Sequence, residues 1–164
     1  MPQSPISVSQ SHSFSQQPVL GWREVVTLPE LNIPKIKAKI DTGARSSALH
    51  AYHLEYDSKQ GEKWVYFWVH PYQRNTEITI EAEAKLLEMR NVRNSGGVAQ
   101  LRPVIETVVK LGEREWLIEL TLTNRDVMGF RMLLGRQAVR SLFLIDPGHS
   151  YLQSQPIETY SDEY

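Results

Sequence analysis

The sequence predicts an all-β domain, because short apolar strands with a period of two recur along it while helical spacing is scarce. Its 164 residues are 41% apolar and 23% charged, a composition that fits one ordinary globular domain. The 18 Lys and Arg residues nearly balance 19 Asp and Glu, so binding to nucleic acid is not expected. The absence of cysteine excludes disulfide scaffolds, thiolate metal sites and cysteine nucleophiles, and it suits a cytoplasmic location.

The two ends of the sequence differ in composition from the part between them. Residues 1–18 contain six Ser, four Gln and no charged side chain, which predicts a disordered tail. Residues 153–164 hold three of the acids and predict an acidic flexible tail, which leaves 16 acids against 18 bases in a domain at 19–152. Because no apolar run reaches the roughly 18 residues that a bilayer requires, we expect no membrane association.

Three strands are predicted in the first half of the domain. Ile36–Ile40 alternates apolar and cationic side chains, as a half-buried strand does. Trp64–His70 is rich in aromatic and β-branched residues, and Glu77–Ala84 places alternate apolar residues on one face. The aromatic residues of the second strand favour core packing, with a peptide-binding or dimer-contact face as the alternative: Trp64, Tyr66, Phe67 and Trp68.

The second half contains the clearest hairpin of the sequence. Val104–Leu111 and Trp116–Thr123 are alternating strands joined by a four-residue turn that begins at Gly112. Gly135–Phe143 has the spacing of one short helix, and Ser150–Leu152 is expected to be a last short strand. Many short strands and a single helix indicate a β-sandwich or a β-barrel.

One segment combines residues with catalytic chemistry. Asp41-Thr42-Gly43-Ala44 places a carboxylate at the end of the Ile36–Ile40 strand, followed by a hydroxyl and by a glycine whose amide can reach the carboxylate. By itself this pattern is also typical of an ordinary turn. A second segment, Met132-Leu133-Leu134-Gly135-Arg136, is an apolar run that ends in Gly-Arg before the expected helix.

The order of these two segments resembles that of the retropepsin-like aspartic proteases. The closest subgroup is the bacterial one long labelled as ATP-dependent zinc proteases, whose members are associated with ATP-grasp glutamate ligases. The resemblance extends from Trp22 to Leu152 and rests on Asp41–Leu49, on Leu133–Arg136, and on Ile145-Asp146-Pro147 with Ser150-Tyr151. It implies a closed retropepsin-like β-barrel with one short helix near the C-terminal end.

The resemblance also implies a mechanism with two aspartates. Carboxylates about 3 Å apart share one proton, so one acts as a general base toward water while the other polarises the scissile carbonyl. Asp41 takes the catalytic position, Thr42 would lock the loop through its hydroxyl, and Gly43 would orient the carboxylate. Ala44 and Arg45 are expected to contact substrate. No other Asp is followed by Thr-Gly or Ser-Gly, so the second carboxylate must be Asp41 of another subunit in a symmetric homodimer.

The position of a flap over the substrate is also implied. Asn91–Arg102 carries Asn94-Ser95-Gly96-Gly97 at its centre, and Ser95, Gly96 and Gly97 would approach the peptide closely. A surface hairpin without a functional role is the equal alternative.

Two features depart from the retroviral pattern. Arg45 stands where those enzymes have an acidic residue that pairs with the Arg of the structural motif Leu133-Leu134-Gly135-Arg136, so Arg136 needs another partner. In addition, 94 positions separate Asp41 from Gly135, which is longer than in the compact retroviral proteases, and the excess is expected between His50 and Arg90, a segment whose fold the resemblance does not assign.

No cofactor or metal is expected. His50 and His53 lie three positions apart, but there is no His-Glu-x-x-His and no phosphate-binding Gly-x-x-x-x-Gly-Lys-Ser/Thr pattern. Any dependence on ATP would therefore come from a partner, for which an ATP-grasp glutamate ligase is the candidate. Several arginines near the motifs suggest a glutamate-rich substrate tail, with a solvated surface as the alternative: Arg45, Arg93, Arg102 and Arg136.

The function expected from the sequence is that of an aspartic endopeptidase acting on a peptide or protein as a homodimer. The alternative is a catalytically silent domain of the same fold that binds a peptide or a ligase partner. An intact Asp-Thr-Gly is necessary for the first function but is compatible with both.

Overall fold

The computed structural model describes residues 16–73, 75–94, 96–124 and 129–157. Within these ranges almost every regular element is a β-strand, as the sequence predicts. In chain order the elements are β1 (Val19–Leu20), β2 (Arg23–Leu28), β3 (Ile33–Asp41), β4 (Ser47–His50), β5 (Tyr52–Lys59), β6 (Glu62–Val69), β7 (Ile80–Arg93), β8 (Ala99–Leu111), β9 (Arg114–Thr123), β10 (Met132–Gly135), α1 (Arg136–Val139) and β11 (Leu144–Ile145), with a 3-10 turn at Pro29–Leu31.

Six strands close into a β-barrel in the order β2-β3-β10-β4-β9-β8, and the pairing of Thr27 on β2 with Lys110 on β8 completes the ring. The prediction of an all-β closed barrel is therefore confirmed. Alternate side chains of each strand fill the interior, including Ile36 and Ala38 on β3 and Leu120 on β9, all of them fully buried.

The strand order places the two motifs side by side. β10 lies between β3 and β4, parallel to β3 and antiparallel to β4. In this register Gly135 is the partner of Asp41 at the end of the parallel pair. β4 in turn pairs in parallel with β9, so the segment that follows the Asp-Thr-Gly loop returns directly into the barrel wall.

The segment between His50 and Arg90 forms an antiparallel meander of β5, β6 and the first half of β7. β7 then continues into a long hairpin with β8, so one strand belongs to both units. One face of the meander packs on the core, and Phe67 is 1% exposed there. The core-packing prediction is right for Phe67 and wrong for Trp68, which lies on the opposite face and is 37% exposed.

Three local predictions need correction. The β8–β9 turn has two residues rather than four, because Leu111 already pairs with Arg114, and Gly112 adopts the positive φ of 60° that this tight turn requires. The predicted helix stops at Val139, since Arg140 is already extended. No strand forms at Ser150–Leu152, where Tyr151 has a φ of 56°; the last described strand is β11. Among the described residues, no helix is long and apolar enough to cross a membrane.

A fully buried carboxylate attaches the segment after β11 to the barrel. Glu24 on β2 is 0% exposed, and its Oε2 accepts hydrogen bonds from the backbone amides of Gly21 (2.7 Å) and Leu152 (2.9 Å). Its Oε1 accepts from the amide of Gln153 (3.1 Å) and from the hydroxyl of Ser154 (2.6 Å). The predicted domain limits stay a prediction, but Gln153 and Ser154 lie beyond the expected end of the domain and are held against it.

Candidate active site

The Asp-Thr-Gly loop holds its carboxylate through backbone amides. Asp41 is half-buried at the end of β3, and its Oδ1 accepts hydrogen bonds from the amides of Gly43 (3.0 Å) and Ala44 (3.3 Å). The contact that the sequence predicts for Gly43 is thus present. Among the described residues Oδ2 has no hydrogen-bond partner, so this oxygen can bind a group from outside the loop. The Thr42 side chain is exposed, and its hydroxyl makes no bond within the described chain.

Arg136 is the anchor of this loop. Its backbone amide donates to the carbonyl of Ala44 (2.7 Å), and its guanidinium Nη1 donates to the carbonyl of Thr42 (3.0 Å). Next to it, the amide of Gln137 bonds the carbonyl of Arg45 (3.1 Å). Backbone carbonyl groups of the loop therefore bond Arg136 in place of the acidic side chain that retroviral enzymes have at the position of Arg45. Arg45 itself is exposed beside the loop.

Gly135 is required at its position because the backbone of the loop passes directly over it. A Cβ on Gly135 would lie 2.5 Å from the carbonyl oxygen and 2.6 Å from the carbonyl carbon of Ser46. The amide of Gly135 donates to the buried hydroxyl of Ser47 at 3.0 Å. Ser47 is thus a positioning residue that sequence reasoning did not single out, although a hydroxyl that begins an otherwise apolar strand was a signal for it. Leu133 and Leu134 are buried on the same strand.

The expected flap is the end of the β7–β8 hairpin. Its turn is closed by Asn94, whose side-chain oxygen accepts from the amides of Gly96 (2.9 Å) and Val98 (3.1 Å), while Gly97 has a φ of 81°. Ser95 lies outside the described residues. Val98 and Leu101 are 63% and 58% exposed, so the end of the hairpin presents apolar surface. No hydrogen bond joins the described tip residues to the Asp41 loop, and the flap role stays a prediction.

The other described aspartates do not complete a dyad with Asp41. Asp57 lies on β5 of the meander, and its Oδ1 accepts from the amide of Ser58 at 2.8 Å. Asp146 accepts from the amide of Gly148 (2.9 Å) and contacts Nδ1 of His149 (2.7 Å), and these two contacts lower the pKa of Asp146 in that order of importance. Asp126 and Asp162 lie outside the described residues. A second carboxylate for Asp41 is therefore not found among the residues described.

The histidines near the site are engaged in other contacts. Nδ1 of His50 lies 3.2 Å from Nη1 of Arg131, and its Nε2 lies 3.1 Å from the carbonyl oxygen of Asn124. The ring of His53 packs against that of Trp68 in a tilted arrangement, with 4.4 Å between centroids. No three His, Cys, Asp or Glu residues of the described chain are close enough together to hold a metal ion. Independence from metal remains a prediction.

A closed β-barrel in which a strand ends in Asp-Thr-Gly, next to a parallel strand that ends in Gly-Arg, defines a retropepsin-like domain. This chain belongs to the RimB-like family, described as retropepsin-like aspartic endopeptidase RimB, whose family model matches residues 19–156. The resemblance seen in the two motifs is thereby confirmed.

Curated relatives carry a different name. A probable alpha-L-glutamate ligase from Shewanella halifaxensis is 43% identical over 137 residues, which are 84% of this chain and 30% of the relative. Proteins with the same name from Shewanella pealeana and Parasynechococcus marenigrum are 44% and 45% identical over 81% of this chain, and over 29% and 28% of their own lengths. The chain thus spans less than a third of the curated relatives that it matches.

A solved structure has the same fold over nearly its whole length. The crystal structure of the Legionella pneumophila protein Lpg0085, of unknown function, matches with a TM-score of 0.67 and 28% sequence identity. The match covers 84% of this chain and 98% of the Legionella chain.

Proposed function

We propose that this protein is an aspartic endopeptidase whose active site forms from the Asp41 loops of two copies related by a two-fold axis. The observation that supports the proposal is the state of the Asp41 carboxylate, which is anchored through Oδ1 to two amides while its Oδ2 has no partner among the described residues. A carboxylate fixed in this way at the surface of the barrel can face its own copy across a symmetry axis. Neither of the other described aspartates is placed to substitute for that copy.

In the proposed reaction the two carboxylates share one proton and one water molecule. The ionised carboxylate removes a proton from the water as its oxygen attacks the carbonyl carbon, while the protonated carboxyl donates its proton to the carbonyl oxygen. Proton return to the amide nitrogen then lets the C–N bond break, which releases a carboxylic acid and an amine. The apparent pKa values of such a pair belong to both members together.

Asp41→Asn tests this proposal. We expect the variant to keep its fold, measured by circular dichroism, and its dimer, measured by size-exclusion chromatography with light scattering. Its peptide-cleavage rate should fall by a factor of about 10²–10⁴ or more. Asp57→Asn is the matched control, because the Asp57 side chain is exposed on β5 of the meander. This variant should cleave at the wild-type rate. Full activity in Asp41→Asn, or in a strictly monomeric wild-type protein, would refute the dyad.

We further propose that the substrate is a peptide or protein tail rich in glutamate. Lys39 shares a face of β3 with Asp41 because side chains alternate along a strand, and Arg136 and exposed Arg45 lie at the loop itself. These cations can bind the carboxylates of such a tail. Lys39→Gln should raise the KM for a polyglutamate-tailed peptide several-fold and leave that for a neutral peptide unchanged. Equal rates for the two peptides in the wild type would dismiss this preference.

The second candidate function is that of a catalytically silent domain that binds a ligase partner. For either function we propose a cytoplasmic location, which suits the cysteine-free sequence. The observation that favours the second candidate function is the name of the relatives, of which this chain spans only about 30%. If it is correct, the wild-type protein and Asp41→Asn should both bind an ATP-grasp glutamate ligase with equal affinity in calorimetry, and neither should cleave peptides.

A further inference from the structure

We propose that the outer face of the β5–β6–β7 meander is a docking site for a lysine- or arginine-rich segment of a partner protein. This face carries a row of three aromatic side chains, Trp64, Tyr66 and Trp68, at alternate positions of β6. The strand register places acidic residues on both sides of the row: Glu55 and Asp57 on β5, and Glu81 and Glu83 on β7.

The aromatic row is not used by the core. Side chains of the intervening positions Val65, Phe67 and Val69 point to the opposite face and are at most 1% exposed. Trp68 is 37% exposed, and its ring packs edge-on against that of Tyr52, with 5.9 Å between centroids. The faces of aromatic rings attract cations, and they do so most strongly in tryptophan.

Lys59 shows how a cation is held on this face. Its Nζ lies 4.9 Å from the ring centroid of Trp64 and 5.2 Å from that of Tyr66, and it bonds Oε2 of Glu83 at 3.3 Å. The hydroxyl of Tyr66 and then the carboxylate of Glu83 raise the pKa of Lys59 above its ordinary value. Two aromatic rings and a carboxylate thus bind one ammonium group at one end of the row.

The rest of the row has the same components without a cation of this chain. Glu55 is the cross-strand partner of Tyr66, and Glu81 is the partner of Trp68. Glu55, Asp57 and Glu81 make no ion pair with any other described residue. His53 packs against part of the Trp68 ring, with 4.4 Å between centroids, and the exposed part of Trp68 could bind an ammonium or guanidinium group from another chain in the way that Trp64 binds Lys59.

The charge of the face selects the chemistry of the occupant. With Glu62, Lys59 and Lys85 added to the four acids named above, the face presents five acids and two lysines. Lys85 is already bonded to Glu62 at 2.8 Å. An excess of three negative charges repels nucleic acid and glutamate-rich peptides and attracts basic segments. β5 is also the last strand of its sheet, so no strand of the described residues pairs with its outer edge. This inference is independent of the proposed peptidase activity.

Titration of the full chain with a hexalysine peptide, followed by calorimetry and tryptophan fluorescence, tests the proposal. We expect saturable binding that weakens with salt, about tenfold weaker binding for Trp68→Ala, and nearly complete retention for Trp68→Phe. The double variant Glu55→Gln/Glu81→Gln should weaken binding to a similar extent while the aromatic row stays intact. Hexaglutamate should not bind.

The matched control is Glu113→Gln/Glu115→Gln, which removes two exposed acids at the β8–β9 turn and should bind hexalysine within twofold of the wild type. Absence of hexalysine binding to the wild type would overturn the proposal. It would also be overturned if the control weakens binding as much as the meander variants do, which would indicate attraction by net charge alone. If sedimentation shows that Trp68→Ala dissociates a dimer while hexalysine does not bind, the face contacts a second copy instead. Urea midpoints equal to that of the wild type show that each variant is folded.

Discussion

Replacement of Glu24 by Gln should destabilise the protein strongly, although the two side chains have nearly the same shape. The buried carboxylate accepts four hydrogen bonds, two on each oxygen, at 2.6–3.1 Å. Glutamine keeps one oxygen and places an NH₂ group against two donors, so two bonds are lost. Hydrogen bonds to a charged group are worth about 1.5–3 kcal/mol each, which gives a loss of about 3–6 kcal/mol for the two bonds. For a chain of this size that corresponds to a fall in Tm of about 6–24 °C.

Urea unfolding followed by tryptophan fluorescence measures this loss directly. Glu119→Gln is the matched control, because Glu119 makes an exposed ion pair with Arg90 at 2.9 Å and its replacement should cost at most about 1 kcal/mol. Limited proteolysis should in addition cleave Glu24→Gln after Leu152 far faster than it cleaves the wild type. A urea midpoint for Glu24→Gln equal to that of Glu119→Gln would refute the assigned role of the carboxylate.

Three further changes have defined outcomes. Gly135→Ala should lower the free energy of unfolding in urea by about 3 kcal/mol and abolish cleavage, because its Cβ would lie 2.5 Å from the Ser46 carbonyl oxygen. The control Gly96→Ala, whose Cβ would lie 3.4 Å from the nearest atom, should be close to neutral. Asp146→Asn should lower the urea midpoint slightly at neutral pH, and the difference from the wild type should vanish in acid. The reason is that the pKa of the Asp146 carboxyl is lowered in the folded protein, so this group stabilises the fold at a pH above its unfolded-state pKa and ceases to do so as the pH falls through its folded-state pKa. Dialysis against a chelator should leave the cleavage rate unchanged, since an aspartate pair needs no metal; a loss restored by zinc would contradict this.

The sequence predicted best those features that depend on neighbouring residues. Trp116–Thr123 shows its strand by alternation, and the structure buries Ile118, Leu120 and Leu122 on one face as expected. Asp41 and Gly43 were found because the carboxylate–amide contact is local. The helix was predicted too long because apolar spacing continues to Phe143, whereas the backbone becomes extended at Arg140.

Features that depend on distant residues were missed for a physical reason. The two-residue strands β1 and β11 pair with each other in parallel, and strands so short have no period to detect. The sequence predicts a strand at Ser150–Leu152, but the backbone amides there do not pair with a neighbouring strand. The amide of Leu152 donates to the side chain of Glu24, and the amide of Tyr151 donates to the backbone carbonyl of Arg23. The role of Ser47 likewise depends on Gly135, which lies 88 positions further along the chain.

The insertion of β10 between β3 and β4 has a consequence for the order of folding. Met132 pairs with Ala38, so the barrel wall stays open until a segment 94 positions further along the chain arrives. Contacts of such long sequence separation form slowly, and we expect refolding over milliseconds to seconds rather than microseconds, measurable by stopped-flow fluorescence. Since Arg136 follows β10 directly and bonds the carbonyls of Thr42 and Ala44, a chain still being synthesised would carry the Asp41 loop before the contacts that hold it can form.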